Sequence, residues 1–170
     1  VTIKEWIAVL EATYILIRLE PYFENFGKRL IKSPKLYFAD TGLACYLLGI
    51  ESVEQLLKDP LYGNLFENWV VVELMKARYN EALDPRLYFY RDVQGREVDL
   101  LLQKGSRLVP IEIKSSKTFS NSYLDGLQYF HKQSPQKAQG GALIYGGNQT
   151  QKMGDFELLN PENCPRLYEA

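Results

Sequence analysis

Between Arg86 and Lys114 the chain has room for strands joined by tight turns and for little else. "RLYFYR", "EVDLLL" and "RLVPIEIK" are three apolar or aromatic runs of strand length at short spacing. A long segment, "LYGNLFENWVVVELMKARY", precedes them and is apolar nearly all round, as a helix packed on a sheet should be. "NSYLDGLQYFHKQ", with Asn121 or Ser122 as its cap, reads as a second helix. "GALIY" follows as a buried strand, and "FELL" reads as an edge strand. Helix, three strands, helix and strand imply an α/β fold with a mixed sheet from residue 61 onward.

The first sixty residues have a different pattern. "TIKEWIAVLE" is an amphipathic helix with apolar residues at Ile3, Trp6, Ile7 and Leu10, opened by a Thr2/Glu5 capping box. "TYILIRLEPY" reads as a strand ended by Pro21, "FENFGKRLIKSPK" as a loop and "LYFAD" as a second strand. Two short helices follow. One is "TGLACYLLG", capped by Asp40 or Thr41 and stopped by Gly49. The other is "SVEQLLK", opened by Ser52 and Gln55. A helix followed by a two-stranded ribbon is the latter half of a winged helix-turn-helix. Its loop carries Lys28, Arg29, Lys32 and Lys35, with no acid between Asn25 and Ala39. Such a loop suits phosphate contact, and equally suits a solvated hairpin. The expected organisation is a partial winged-helix segment over residues 1–60 and an α/β domain over 61–170. The two helices that would precede this one are outside the sequence, so a longer parent protein is expected.

Composition removes several function classes. No apolar run is long enough to span a membrane, and no signal-peptide pattern opens the chain. Cys45 and Cys164 cannot make a disulfide framework, which leaves a reducing cytoplasm as the default setting. They and the only histidine, His131, are too few for a structural zinc site. Neither phosphate-cradling glycine motif occurs, so the chain does not bind ATP in that way by itself. A net charge of −1 argues against a surface coated in positive charge.

Three charges interrupt the strands. By alternation, Val98, Leu100 and Leu102 share one face and Glu97, Asp99 and Leu101 the other. In the next strand Ile111 and Ile113 face one way, and Leu108, Pro110, Glu112 and Lys114 the other. A tight turn centred on Lys104–Gly105 or on Gly105–Ser106 puts Asp99, Glu112 and Lys114 together, unless a one-residue bulge intervenes. Two carboxylates held close on a half-buried sheet repel unless a proton or a cation lies between them. Mg2+ takes such oxygen ligands together with water and phosphate. Lys114 could stabilise developing charge on phosphorus. The set suits metal-assisted hydrolysis of a phosphodiester; it also suits an ordinary ion pair of Lys114 with Asp99 or Glu112. On the long helix Glu67 shares a stripe with Val70, Val71 and Leu74 and needs a partner, either the same site or Arg78.

These residues resemble the PD-(D/E)xK phosphodiesterase superfamily, which includes restriction enzymes and Holliday-junction resolvases. The resemblance covers about residues 61 to 146. It implies a restriction-endonuclease-like αβββαβ core, with Asp99, Glu112 and Glu67 at a Mg2+ or Mn2+ ion and Lys114 assisting catalysis. Gln128 stands where many members carry a glutamine, though the tyrosine that one branch has four residues later is Lys132 here. Over nearly its whole length the chain also looks like the C-terminal half of a prokaryotic AAA-type ATPase family, through "GKRLIKSPKLYFADTGLACYLLGI", "LFENWVVVELMK", "REVDLLL" and "PIEIKSSK". That resemblance implies ATP only through a preceding P-loop domain. The expectations are a metal-dependent DNA nuclease or, alternatively, a non-catalytic module that binds DNA or a partner. DNA and the upstream ATPase are the expected partners, a membrane is not, and an oligomer is compatible with either reading.

Overall fold

The computed structural model describes residues 2–23 and 33–169. Lys28, Arg29 and Lys32 lie outside the described residues. Helix α1 (Ile3–Ala12) opens with the expected capping box: Thr2 N–H donates to Glu5 Oε2 at 2.6 Å, and Glu5 N–H to Thr2 Oγ1 at 3.4 Å. Strands β1 (Leu16–Leu19) and β2 (Lys35–Phe38) form an antiparallel ribbon. Asp40 caps α2 (Thr41–Leu47), and Gly49, just past its C-cap Leu48, has φ +71°, the left-handed conformation that glycine adopts without strain. Ser52 and Gln55 cap α3 (Val53–Lys58) reciprocally.

The remaining elements surround a six-stranded sheet. They are α4 (Tyr62–Tyr79), β3 (Leu87–Arg91), β4 (Glu97–Lys104), β5 (Arg107–Lys114), α5 (Asp125–Gln133), β6 (Ala142–Tyr145), β7 (Gln151–Met153) and β8 (Phe156–Leu159), with 3-10 segments at Asn121–Leu124 and Pro161–Tyr168. The strand order is β3-β4-β5-β6-β8-β7, with β5, β6 and β8 parallel and the other pairings antiparallel. The fold is α/β with a mixed sheet. "FELL" is not the edge strand that the sequence suggests. A short hairpin adds β7 outside it, so β8 sits inside the sheet. Residues 121–124, read as helix with Asn121 or Ser122 as cap, form a 3-10 turn whose N-cap is Ser120, and the α-helix starts at Asp125.

Helices α4 and α5 lie on opposite faces. Val70, Val71 and Leu74 of α4 pack on Phe89, Leu100, Leu102, Ile111, Ile113 and Ile144. On the other face Phe130 of α5 packs with Tyr90, Val98, Leu101 and Leu108, and Leu127 with Leu143 and Tyr145. Full burial of each such side chain stabilises the fold by about 1.5–3 kcal/mol. The α4 core does not stop near residue 60: Leu19 and Tyr37 of the ribbon belong to it. Pro21 and Tyr22 run on beside β3, where Tyr22 N–H donates to Phe89 O at 2.8 Å.

One departure from simple alternation decides the geometry of the site. Tyr88 pairs with Leu101, but Tyr90 pairs with Val98. Two steps along β3 thus match three along β4, which is a bulge at Asp99–Leu100. Val98 therefore joins Leu101 on the α5 face, while Leu100 and Leu102 face α4. The expected sharing of one face by Val98, Leu100 and Leu102 is overturned by this extra residue.

Candidate functional site

The β4–β5 turn is the tight hairpin, with Lys104 opposite Arg107 and Gly105 at φ +60°. The ladder runs back to Leu100 opposite Ile111 and stops there. Asp99 and Glu112 are the next residues out, at the mouth where the strands part. The Ile113 amide there donates to a side chain, Asp99 Oδ2, at 2.8 Å. The bulge thus turns the Asp99 carboxylate into the gap between strands, where it satisfies a backbone group that the ladder no longer reaches.

Lys114 Nζ lies 2.8 Å from Glu112 Oε2 and 3.4 Å from Asp99 Oδ2. Glu112 is only 6% exposed. Burial first, and then the Asp99 carboxylate, push its pKa up to about 8 against the opposing pull of Lys114. Burial alone would lower the Lys114 pKa, but Asp99 and Glu112 outweigh it and hold the ammonium charged. Asp99, Glu112 and Lys114 therefore come together, as the strand pattern predicts, even though the bulge alters the route by which Asp99 arrives.

Glu67 belongs to an adjoining cluster. Its Oε1 accepts from Lys35 Nζ at 2.9 Å and from the Tyr37 hydroxyl at 2.6 Å. Lys35 Nζ is also 2.5 Å from Glu97 Oε1, and Arg91 pairs with the other oxygen of Glu97. Arg78, the alternative partner for Glu67, instead lies over the Tyr168 ring and beside Glu81. The two clusters are neighbours: after burial, Glu67, Asp99 and Glu97 all raise the pKa of the Tyr37 phenol. Lys35 is on β2 rather than on the basic loop, and its side chain is 15% exposed. Gln128 is exposed on α5. The functional candidates missed from sequence are Glu97, Arg91 and Tyr37. Simple alternation puts Glu97 on the face of Asp99 and Leu101, but the bulge turns it away from Leu101, and its partners come from β2 and β3, which sequence spacing does not bring together.

A cleft of about 600 Å³ opens beside the second cluster. Lys35, Glu67, Arg91 and Glu97 line its polar end, and Phe38, Leu47, Leu61 and Leu65 its apolar part. Among the described residues no group of three or more His, Cys, Asp or Glu is placed to hold a metal ion. A site at Asp99 and Glu112 would thus offer two carboxylates, a donor set that suits Mg2+ or Mn2+ completed by water and phosphate oxygens.

Two family models match the chain. Residues 1–54 match a domain of unknown function designated DUF8612, and residues 62–163 match a domain of unknown function designated DUF4143. The models meet between residues 54 and 62, while the hydrophobic core runs across that junction. Uncharacterized proteins of Mycobacterium tuberculosis and Mycobacterium bovis are each 36% identical over 121 residues, which is 71% of this chain and 26% of theirs. The chain thus spans about a quarter of the length of those relatives. No helix among the described residues is long and apolar enough to cross a membrane. With its match running through every element from α4 to β8, the chain belongs to the DUF4143 family.

Proposed function

We propose that the chain is a nuclease-like module that hydrolyses a phosphodiester bond with one divalent cation at Asp99 and Glu112. The observation that carries this reading is a single ammonium, Lys114 Nζ, within reach of both carboxylates at the parted end of β4 and β5. With both acids ionised the two carboxylates and one ammonium carry a local charge of −1, and a cation between them favours loss of the proton that burial and Asp99 hold on Glu112. A bound Mg2+ or Mn2+ would supply Lewis-acid polarisation of a phosphoryl oxygen and a more acidic water. Asp99 and Glu112 would hold it. Lys114, freed from full pairing, would stabilise charge on the phosphoryl oxygens. The helix–three strands–helix–strand order agrees with the PD-(D/E)xK resemblance. The chain's share of its relatives leaves room for the ATPase domain implied by the second resemblance.

The test is cleavage of labelled single- and double-stranded oligonucleotides in Mg2+ or Mn2+. Asp99→Asn, Glu112→Gln and Lys114→Ala should each abolish it while keeping the fold. Undiminished cleavage by Lys114→Ala overturns the assignment.

A second reading has its own support. Lys114 already meets Glu112 Oε2, and α5 closes over the other oxygen of that carboxylate. A chain that compensates its acids in this way could serve as a non-catalytic module that binds DNA or a partner. Salt-sensitive DNA binding with no cleavage in any divalent metal distinguishes it.

A further inference from the structure

We infer that Lys35 is the fixed counter-ion of Glu67 and Glu97, so that the two adjoining clusters together admit one divalent cation, at Asp99 and Glu112, and not two. The position at Asp99 and Glu112 rests on the function proposed above; the role of Lys35 does not.

Four carboxylates approach this end of the sheet: Glu67 from α4, Glu97 and Asp99 from β4, and Glu112 from β5. Two acids from separate elements converging on one point are a common way to hold a second ion in two-metal phosphodiesterases. Here that point is filled. Lys35 Nζ sits 2.9 Å from Glu67 and 2.5 Å from Glu97, within ion-contact range of both. Glu97 gives its remaining oxygen to Arg91, and Tyr37 donates to the Glu67 oxygen that Lys35 already holds.

Charge decides between the two clusters. Glu67 and Glu97 against Lys35 and Arg91 sum to zero. Asp99 and Glu112, once both are ionised, sum to −1 against Lys114, and the proton that Glu112 otherwise holds is displaceable by a cation, whereas Lys35 and Arg91 are fixed in place by their partners. A divalent ion entering the Glu67–Glu97 cluster would meet a half-buried ammonium at a few ångströms, a strong repulsion in a partly desolvated setting. Between Asp99 and Glu112 it meets two carboxylates against one ammonium. The Lys35 pKa is raised, because Glu67 and Glu97 together outweigh the burial that would lower it.

The same contact docks the ribbon. Lys35 lies on β2 and its two partners on α4 and β4. Removing its charge while keeping most of its bulk should therefore uncover a cation site that the native chain keeps closed. Leu19, Tyr37 and the Asn68 contacts to Phe38 would still hold the ribbon in place.

The test is the stoichiometry of Mn2+ binding by calorimetry and by the paramagnetic resonance of free Mn2+, on the intact protein in nucleotide-free buffer. The expected counts are one ion for the native protein, two for Lys35→Met and Lys35→Gln, and one for Lys35→Arg. Lys35→Met combined with Glu67→Gln should return to one. Circular dichroism and thermal melts check that each variant folds. Two ions on the native protein overturn the inference, and so does a count unchanged by both neutral variants. If the native protein takes no ion and Lys35→Met takes one, the role of Lys35 stands and the hydrolytic proposal falls.

Discussion

Gly126 of α5 packs directly on Glu112. A Cβ built at position 126 would stand 2.0 Å from Glu112 Oε1 and 2.9 Å from the carboxyl carbon. No ordinary contact is that short, so either the helix or the carboxylate has to move. Glycine is needed at this position for space, since it lies inside a regular helix.

Gly126→Ala tests this contact against an opposing effect. Alanine in a helix interior gains up to about 1 kcal/mol over glycine. Overpacking costs about 1–3 kcal/mol. We expect net destabilisation in urea, and a Glu112 carboxylate driven toward Asp99. An unchanged or higher unfolding midpoint would mean that α5 sits further from the sheet than described.

The buried Glu112 predicts an unusual pH profile. Its pKa rises from the ordinary 4.5 to about 8 through burial and the nearby Asp99. Between those values the folded chain holds a proton that the unfolded chain has lost. Stability from this group is therefore present below about pH 4.5 and is lost as pH rises through about 8. In chelator-containing buffer the native protein should lose roughly 3 kcal/mol relative to Glu112→Gln between pH 5 and pH 8. Added Mn2+ should close that gap at pH 8 if the acids take up the ion. A pH-independent difference between the two proteins would show that Glu112 titrates normally.

How far the sequence reveals this arrangement depends on the range of each interaction. The caps at Thr2, Asp40 and Ser52 are local, and their residues are found where spacing puts them. So is the β4–β5 turn at Gly105. That turn brings Asp99, Glu112 and Lys114 to one place, because two strands joined by a two-residue turn have a register fixed by the chain itself. The bulge at Asp99–Leu100 is invisible, because it answers to pairing with β3. Glu67 shows the same limit. Its isolation on an apolar stripe signals that it needs a partner, but Lys35 is 32 residues away and reaches it through a ribbon whose docking depends on Leu19 and Tyr37 in the core. Strand β7 leaves almost no trace in the sequence, since its three residues are largely exposed and are ordered by β8.

Asp99 has a structural duty that can be separated from any chemical one. It accepts the Ile113 amide at 2.8 Å where the ladder ends. Asp99→Ala leaves that N–H without its acceptor and removes one partner of Lys114, at a cost of about 1–3 kcal/mol. Asp99→Asn keeps an acceptor of the same shape and should cost appreciably less. Chemical denaturation of the two variants measures the gap. Equal losses would mean that the charge of Asp99, and not its bond to the strand, is what the fold requires.

Asn68 gives the last prediction, on how the ribbon is held. It is 7% exposed on α4. Its amide oxygen accepts from Phe38 N–H at 2.7 Å, and its amide nitrogen donates to Phe38 O at 2.8 Å and to the Thr41 hydroxyl at 3.0 Å. One side chain thus completes the free edge of β2 as a neighbouring strand would. Asn68→Ala removes all three bonds and leaves buried backbone groups without partners, which should cost about 2–3 kcal/mol. Asn68→Asp keeps the acceptor but sets a carboxylate oxygen against Phe38 O in a buried site, and should cost at least as much. The loss should be local first. Amide exchange at Tyr37 and Phe38 should accelerate more than exchange at Ile111 and Ile144 in the centre of the sheet. Uniform acceleration over both regions would instead show that ribbon and sheet unfold as one unit, with Asn68 no more than a general core contact.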